Sequence, residues 1–238
     1  MNFDINDFSE KRLRNLYQQS HQKGFKSIFY GEEDEHQKFI LWRHDVDIEL
    51  PAVRKMAKIE AEEGIKSTYF MMYTHWFYNL FSTEAKETLD YVKSLGHKVA
   101  LHCDLGVDRG EEVSDGFVDN KIQNDFTILE QHYGKDYFDR KVSFHNPPNS
   151  VLKRNFDNFY SAYQPKFFDE IKYLSDSNRV FREGGIEPWF NEVSKLSILL
   201  HPIIWAYKGN TMPELVREYL KNESAERLKN LEADGIII

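Results

Sequence analysis

The sequence is nearly without cysteine, Cys103 being the one thiol in 238 residues. A single thiol excludes an internal disulfide framework and a multi-cysteine zinc site, and it is compatible with a reducing compartment. Basic charge is scarce too: 31 Lys and Arg stand against 39 Asp and Glu, a net charge of -8. With no basic run and no interleaving of basic and aromatic side chains, that balance argues against nucleic acid as a partner. No apolar run is long enough to span a bilayer, and the start, Met1 to Asp7, is acidic and lacks the basic and apolar regions of a secretion signal. A cytoplasmic protein that does not insert into membranes is expected. Internal repeats, low-complexity tracts, linkers and glycine-rich phosphate loops are all missing, so one domain over 1–238 is the expected organisation. Apolar residues are plentiful: 41% hydrophobic and 15% aromatic content argues against disorder and can build a large core.

Hydrophobic periodicity divides the chain into alternating helices and short strands. A helix is expected over about 7–22, on Phe8, Leu13, Leu16 and Tyr17, followed by a short apolar piece over 25–30. Strands are expected over 39–47, 66–72, 98–101, 141–144, 171–174 and 196–200. Helices fall between them: from Pro51 to Gly64, from Ala85 to Gly96, and from Val118 to Gly134. Loops cover 74–81, which is aromatic, and 105–116, which is glycine-rich and acidic; 150–164 reads as irregular, and a long charged helical region runs over about 212–233. Strands alternating with helices imply parallel pairing through right-handed crossovers, in an open sheet or a barrel. Five of the strands end in ionisable groups: Asp45 and Asp47, then His102, His145, Asp176 and His201. A barrel gathers all its strand ends on one face, whereas an open sheet spreads them along a crevice. The expected fold is therefore α/β, a distorted or incomplete (β/α) barrel with its active site at the carboxyl ends of the strands.

The stretch Phe39 to Asp47 is an apolar run that stops in a cluster of ionisable residues. If the extended conformation persists, its period of two puts Asp45 and Asp47 on one face, where both ionise comfortably only beside a positive partner. Such a pair suits a metal ligand next to a general base; the competing reading makes them caps of the next helix, neutralised by Arg43. His102, His145 and His201 each follow an apolar run directly, and together they point to a metal site. Imidazole with carboxylate suits zinc and other first-row divalent ions, and a catalytic site needs three protein ligands, leaving a position for water. His21, His36 and His132 read as solvated, and His97 as a structural hydrogen bonder.

His44-Asp45-Val46-Asp47, followed by Glu60 to Phe70, resembles the first motif and second strand of the polysaccharide deacetylases, the NodB-like carbohydrate esterases. Gly96 to His102 is similar to that family's second motif, and Leu199-Leu200-His201-Pro202 to its last. The likeness covers roughly 39–205, with the N-terminal helix and the C-terminal helical region expected to pack on that core. It implies a distorted barrel of parallel strands and metal-dependent removal of N-acetyl or related acyl groups from sugars. The sequence departs from the pattern twice. Val46 interrupts the family's adjacent aspartates, so Asp45 matches the base and Asp47 the metal ligand, with the reverse open. The second metal histidine would fall at Gly106, which has no side chain; His145 is the replacement expected, with Asp104 as the alternative.

On this resemblance Asp47, His102 and His145 hold one divalent ion, zinc foremost, with cobalt, nickel, manganese and iron as alternatives. Asp45 takes the proton of the attacking water and His201 protonates the leaving group. Arg43 keeps Asp45 ionised and Asp176 orients His201, while His44, Asp104, Asn146 and Trp205 are further candidates for substrate binding or support. Trp205 and the loop Trp76 to Tyr78 offer rings for sugar stacking. The expected partner is an acylated saccharide, a small activated or lipid-linked intermediate of surface-polysaccharide synthesis or a short oligosaccharide rather than a polymer. Two rivals stand beside this reading: another metal-dependent amidohydrolase or phosphoesterase on the same barrel, and a catalytically silent sugar-binding protein. No sequence feature fixes the oligomeric state.

Overall fold

The structure, a computed structural model, describes residues 4–235. Helix α1 (Glu10–Gln22) begins where the Ser9 side chain accepts from the Arg12 amide, and it buries Leu13, Leu16 and Tyr17 at helical spacing. Strand β1 (Lys26–Ser27) lies against the start of β2 (Phe39–Val46), which is buried at every position and so shows no polar alternation. Helix α2 (Leu50–Glu62) carries Pro51 in its first turn, where the missing amide costs no hydrogen bond. There follow β3 (Ser67–Met71), α3 (Thr83–Ser94), β4 (Lys98–Asp104), α4 (Asp115–Tyr133), β5 (Asp139–His145), β6 (Tyr160–Ser161), α5 (Lys166–Asp169), β7 (Lys172–Ser175), α6 (Trp189–Glu192), β8 (Lys195–Leu200), α7 (Pro202–Ala206) and α8 (Met212–Ala233).

Every strand pair is parallel, in the order β6-β5-β4-β3-β2-β8-β7. The sheet curls, but β6 and β7 at its two ends do not pair, so the barrel is incomplete. Register decides which side chains face inward. Asp45 pairs with Phe70, Phe70 with Ala100, His102 with Ser143 and Asp104 with His145; on the other side Arg43 pairs with Leu199 and Leu199 with Ser175. Partners in a parallel register share a face, so these residues line the concave side. Its floor is apolar, with Ile28, Tyr30, Phe39, Leu41, Phe70 and Phe167 packed together. The ionisable carboxylates and imidazoles cluster at the carboxyl ends, with polar Ser197 and Thr68 deeper in the floor.

The expected elements are present, with short additions: the one-turn helices α5, α6 and α7, and β6. The stretch read as irregular contains β6, whose two residues pair with Lys141 and Val142; two residues are too few to carry a periodic signal. Helix α8 buries only Leu215 and Tyr219. No helix among the described residues is long and apolar enough to cross a membrane.

On the convex face a buried carboxylate ties four elements together. Glu60 of α2 accepts from Tyr17 of α1 (3.0 Å), from Ser67 and Tyr69 of β3 (2.6 Å each) and from His44 of β2 (2.7 Å). Burial alone would raise its pKa, but the His44 ring and then His97 and the Ser67 hydroxyl prevail and hold it down, from 4.5 to about 2. A carboxylate with a depressed pKa stabilises the fold above its unfolded value, and that contribution is lost as pH falls through the folded one. Glu60 thus accounts for about 3 kcal/mol that disappears between about pH 4.5 and pH 2. Glu60→Gln should flatten the pH dependence of urea-unfolding free energy in that window; an unchanged slope would refute the assignment.

Candidate active site

Strand ends bring three imidazole side chains around Asp47. Its Oδ1 lies 3.1 Å from His102 Nε2 and 3.2 Å from His145 Nδ1, and its Oδ2 lies 3.6 Å from His201 Nε2. Each ring is fixed from behind. His102 Nδ1 is 3.2 Å from the Ser143 carbonyl, which only accepts, so that nitrogen carries a proton. A neutral His102 then turns a lone pair toward a carboxylate oxygen, an arrangement that a cation between the two groups would relieve. His145 Nε2 meets the Asn146 carboxamide at 3.0 Å; either end of that amide can face the ring, so Nδ1 can meet Asp47 with or without its proton. One ligand atom each from Asp47, His102 and His145 lie within 4.8 Å of one another. A carboxylate with two imidazoles is a donor set that fits a zinc-like divalent ion.

Asp45 occupies the same face two residues earlier and one layer deeper. Its Oδ2 accepts from Arg43 Nη2 (2.9 Å) and from Ser143 Oγ (3.0 Å), while its Oδ1 is buried with no hydrogen-bond partner among the described residues. Burial works to raise its pKa, but Arg43, then His102 and His201, hold it below the usual carboxylate range. Burial is likewise outweighed at Asp47 whenever His102 and His145 are protonated and donate to it, which holds its pKa well down. Arg43 is itself enclosed: it donates to Tyr163 Oη (3.0 Å), and its guanidinium lies 4.9 Å from the centroid of that ring.

Across the site, His201 Nδ1 bonds to Asp176 Oδ1 at 2.6 Å. Asp176 is fully buried and also accepts from the His201 amide and from Trp205 Nε1 (2.8 Å). Burial would lower the His201 pKa, but Asp176 first, with Asp47 and Asp45 behind it, pushes it up to about 9. The ring is therefore protonated at neutral pH, with Nδ1–H on Asp176 and Nε2–H facing the cavity.

Three expected positions need correction. His44 does not face the site: odd positions of β2 point inward, so His44 points outward, its Nδ1 on the Leu200 carbonyl (3.2 Å) and its Nε2 on Glu60. Trp205 is buried beneath Asp176 and has no face free for a sugar. Tyr78 is also buried, its hydroxyl donating to the Val46 carbonyl. Trp76 remains, 81% exposed and stacked on Phe77 at 3.9 Å. Asp104 is exposed, its Oδ1 accepting from the Gly106 amide, and stands outside the Asp47 group. Sequence reasoning missed Ser143 and Tyr163. Ser143 was legible, two residues before His145 and so on its face; Tyr163 lies in the segment without periodicity.

No family model and no curated protein matches the chain. Among solved structures it is similar to a CE4 esterase of Streptococcus mutans, at 11% identity over 80% of this chain and 85% of that one, with a TM-score of 0.48. It is also similar to a family 4 carbohydrate esterase from Bacillus anthracis, at 15% identity over 100% and 92% of the chains (TM-score 0.42). The chitin deacetylase of the fungal pathogen Colletotrichum lindemuthianum matches at 12% identity over 77% and 81% (TM-score 0.42).

Proposed function

We propose that this protein is a metal-dependent hydrolase that removes an acyl group, N-acetyl foremost, from a saccharide. The observation that carries the reading is the pairing of an Asp47–His102–His145 donor set with a buried carboxylate, Asp45, that keeps one oxygen unpartnered. The motif resemblance around Asp45, His102 and His201 supports the choice of an acylated sugar over other amides and esters. Held by Asp47, His102 and His145, a divalent ion, zinc foremost, supplies Lewis acidity at the acyl carbonyl and acidifies a bound water.

The protein's own groups do the rest. Asp45 Oδ1 accepts the proton of the attacking water, while Arg43 and Ser143 hold Oδ2 and so aim the carboxylate. His201 gives its Nε2 proton to the departing amine or alkoxide, and Asp176 keeps the ring in that tautomer and orientation. Base and acid reach the centre from the neighbouring strand ends of β2 and β8, and to act in turn they must meet the scissile bond from opposite sides.

The test is elemental analysis of the purified protein together with acetate release from a panel of acylated saccharides. About one equivalent of divalent metal is expected, as is acetate release that a chelator abolishes while the far-UV circular dichroism stays unchanged, because the core is apolar and separate from the site. Sugar binding with neither metal nor acetate would leave the silent binding protein as the better reading. Small soluble saccharides should be turned over in preference to insoluble polymers. Trp76 lies on the loop whose His75 ring sits 6.2 Å from the His145 ring, so it offers a platform beside the centre. Trp76→Ala should raise KM for oligosaccharides by about tenfold with kcat little changed, the scale of one lost stacking contact; an unaltered KM would remove Trp76 from the binding surface.

A further inference from the structure

A cavity of about 340 Å³ opens beside the Asp47 centre, large enough for a small saccharide. Its inner wall is aromatic and apolar, with Phe144, Tyr163, Phe168 and Tyr173, and Asp45, Asp47 and His201 close one end. Two arginines stand on its lining from different loops: Arg109 from the connection after β4, and Arg182 from the connection between β7 and β8. Both are exposed, and among the described residues neither is held by a carboxylate. Six other arginines of this acidic chain are paired with carboxylates, as Arg12 is with Glu187, Arg43 with Asp45 and Arg140 with Glu130; Arg54, Arg179 and Arg217 share the lack of a carboxylate partner among the described residues but do not line this cavity.

The main chain under both arginines is anchored, so only the long side chains are free. The Arg109 carbonyl accepts from the Asn149 amide (2.9 Å), and Ser150 Oγ donates to the Glu111 carbonyl (3.0 Å), which stitches the two loops together. Arg182 follows Phe181, which is buried and stacked on Phe8 at 5.5 Å. Of the carboxylates lining the cavity, Asp45 is engaged by Arg43 and Asp47 by the histidines; Glu183, at the rim, is bonded to neither arginine. Two unpaired guanidiniums on the lining of a sugar-sized cavity suit an anion, since the planar fork meets phosphoryl and carboxylate oxygens through two parallel hydrogen bonds.

We propose that the saccharide bound here carries an oxyanion, phosphoryl or carboxylate, away from its acyl group, and that Arg109 and Arg182 bind it. The proposal rests on the hydrolase reading above for the sugar and its acyl group, and on the two arginines for the charge. The measurement is titration calorimetry on the purified full-length chain with N-acetylglucosamine, its 1-phosphate and an N-acetylated aminouronic acid. At least one of the two charged sugars should bind about tenfold or more tightly than the neutral one, the scale of a charge-assisted pair, and less so as salt rises. The tighter of the two identifies the oxyanion. Arg109→Gln and Arg182→Gln together should abolish the preference and leave affinity for the neutral sugar unchanged; Glu183→Gln should strengthen it. Equal affinities for charged and neutral sugars would overturn the proposal, as would undetectable binding of both charged sugars. A preference that survives both arginine substitutions would overturn it too, placing the anion at the Asp47 centre instead. Acetate release followed in parallel separates the two readings: a charge preference without hydrolysis of any sugar defeats the hydrolase, and hydrolysis without the preference defeats the anion site.

Discussion

Asp45→Asn lowers turnover by ~100-fold or more, the usual scale for losing a general base, while metal content stays that of the unaltered protein. An asparagine retains the size of the side chain and can still accept from Arg43 and Ser143, so the layer beneath the site keeps its packing. What is lost is a basic Oδ1, the oxygen that has no hydrogen-bond partner among the described residues. Because catalysis and not binding is removed, kcat should fall with KM little changed. Paired measurements of kcat and metal stoichiometry check this. Metal loss in Asp45→Asn, with metal retained in Asp47→Asn, would exchange the roles of the two aspartates.

His102→Ala removes the metal, weakening its retention by ~100-fold or more; loss of even an outer partner of a metal ligand typically costs 10–100-fold. His102 is the most buried of the three donors, and the Ser143 carbonyl fixes its Nδ1 so that only Nε2 is left for an ion. Neither Asp47, with 27% of its side chain exposed, nor His145, with 24%, is held as rigidly. The substitution vacates space at the mouth of the barrel and not in its apolar floor, so thermal unfolding should remain cooperative. Stoichiometric metal in His102→Ala by elemental analysis would sink the donor set.

Much of this was legible in the sequence because it follows from local periods. Apolar runs broken by glycine and by helical spacing located the main strands and helices, and their alternation required parallel pairing. A period of two put Asp45 and Asp47 on one side of β2, with Arg43 alongside them. The same rule applied to β5 would have added Ser143, and applied to His44 it would have turned that ring away from the site.

Sequence by itself determined the backbone order and the placing of Asp47, His102, His145 and His201 at strand ends, since both depend on residues near one another in the chain. Only the tertiary structure decided what each side chain meets. The curl of the open sheet set three imidazoles around Asp47 rather than Asp45, brought His145 to that carboxylate and left Asp104 outside. It buried Trp205 under Asp176, and it carried Tyr163 from a stretch with no periodicity onto Arg43. Arg109 and Arg182 lie on one cavity although 73 positions, 182 less 109, separate them in the chain. The physical reason is that a side chain's direction follows from the φ and ψ of its own segment, whereas its neighbours follow from sheet curvature and loop path, which arise from packing summed over the whole chain.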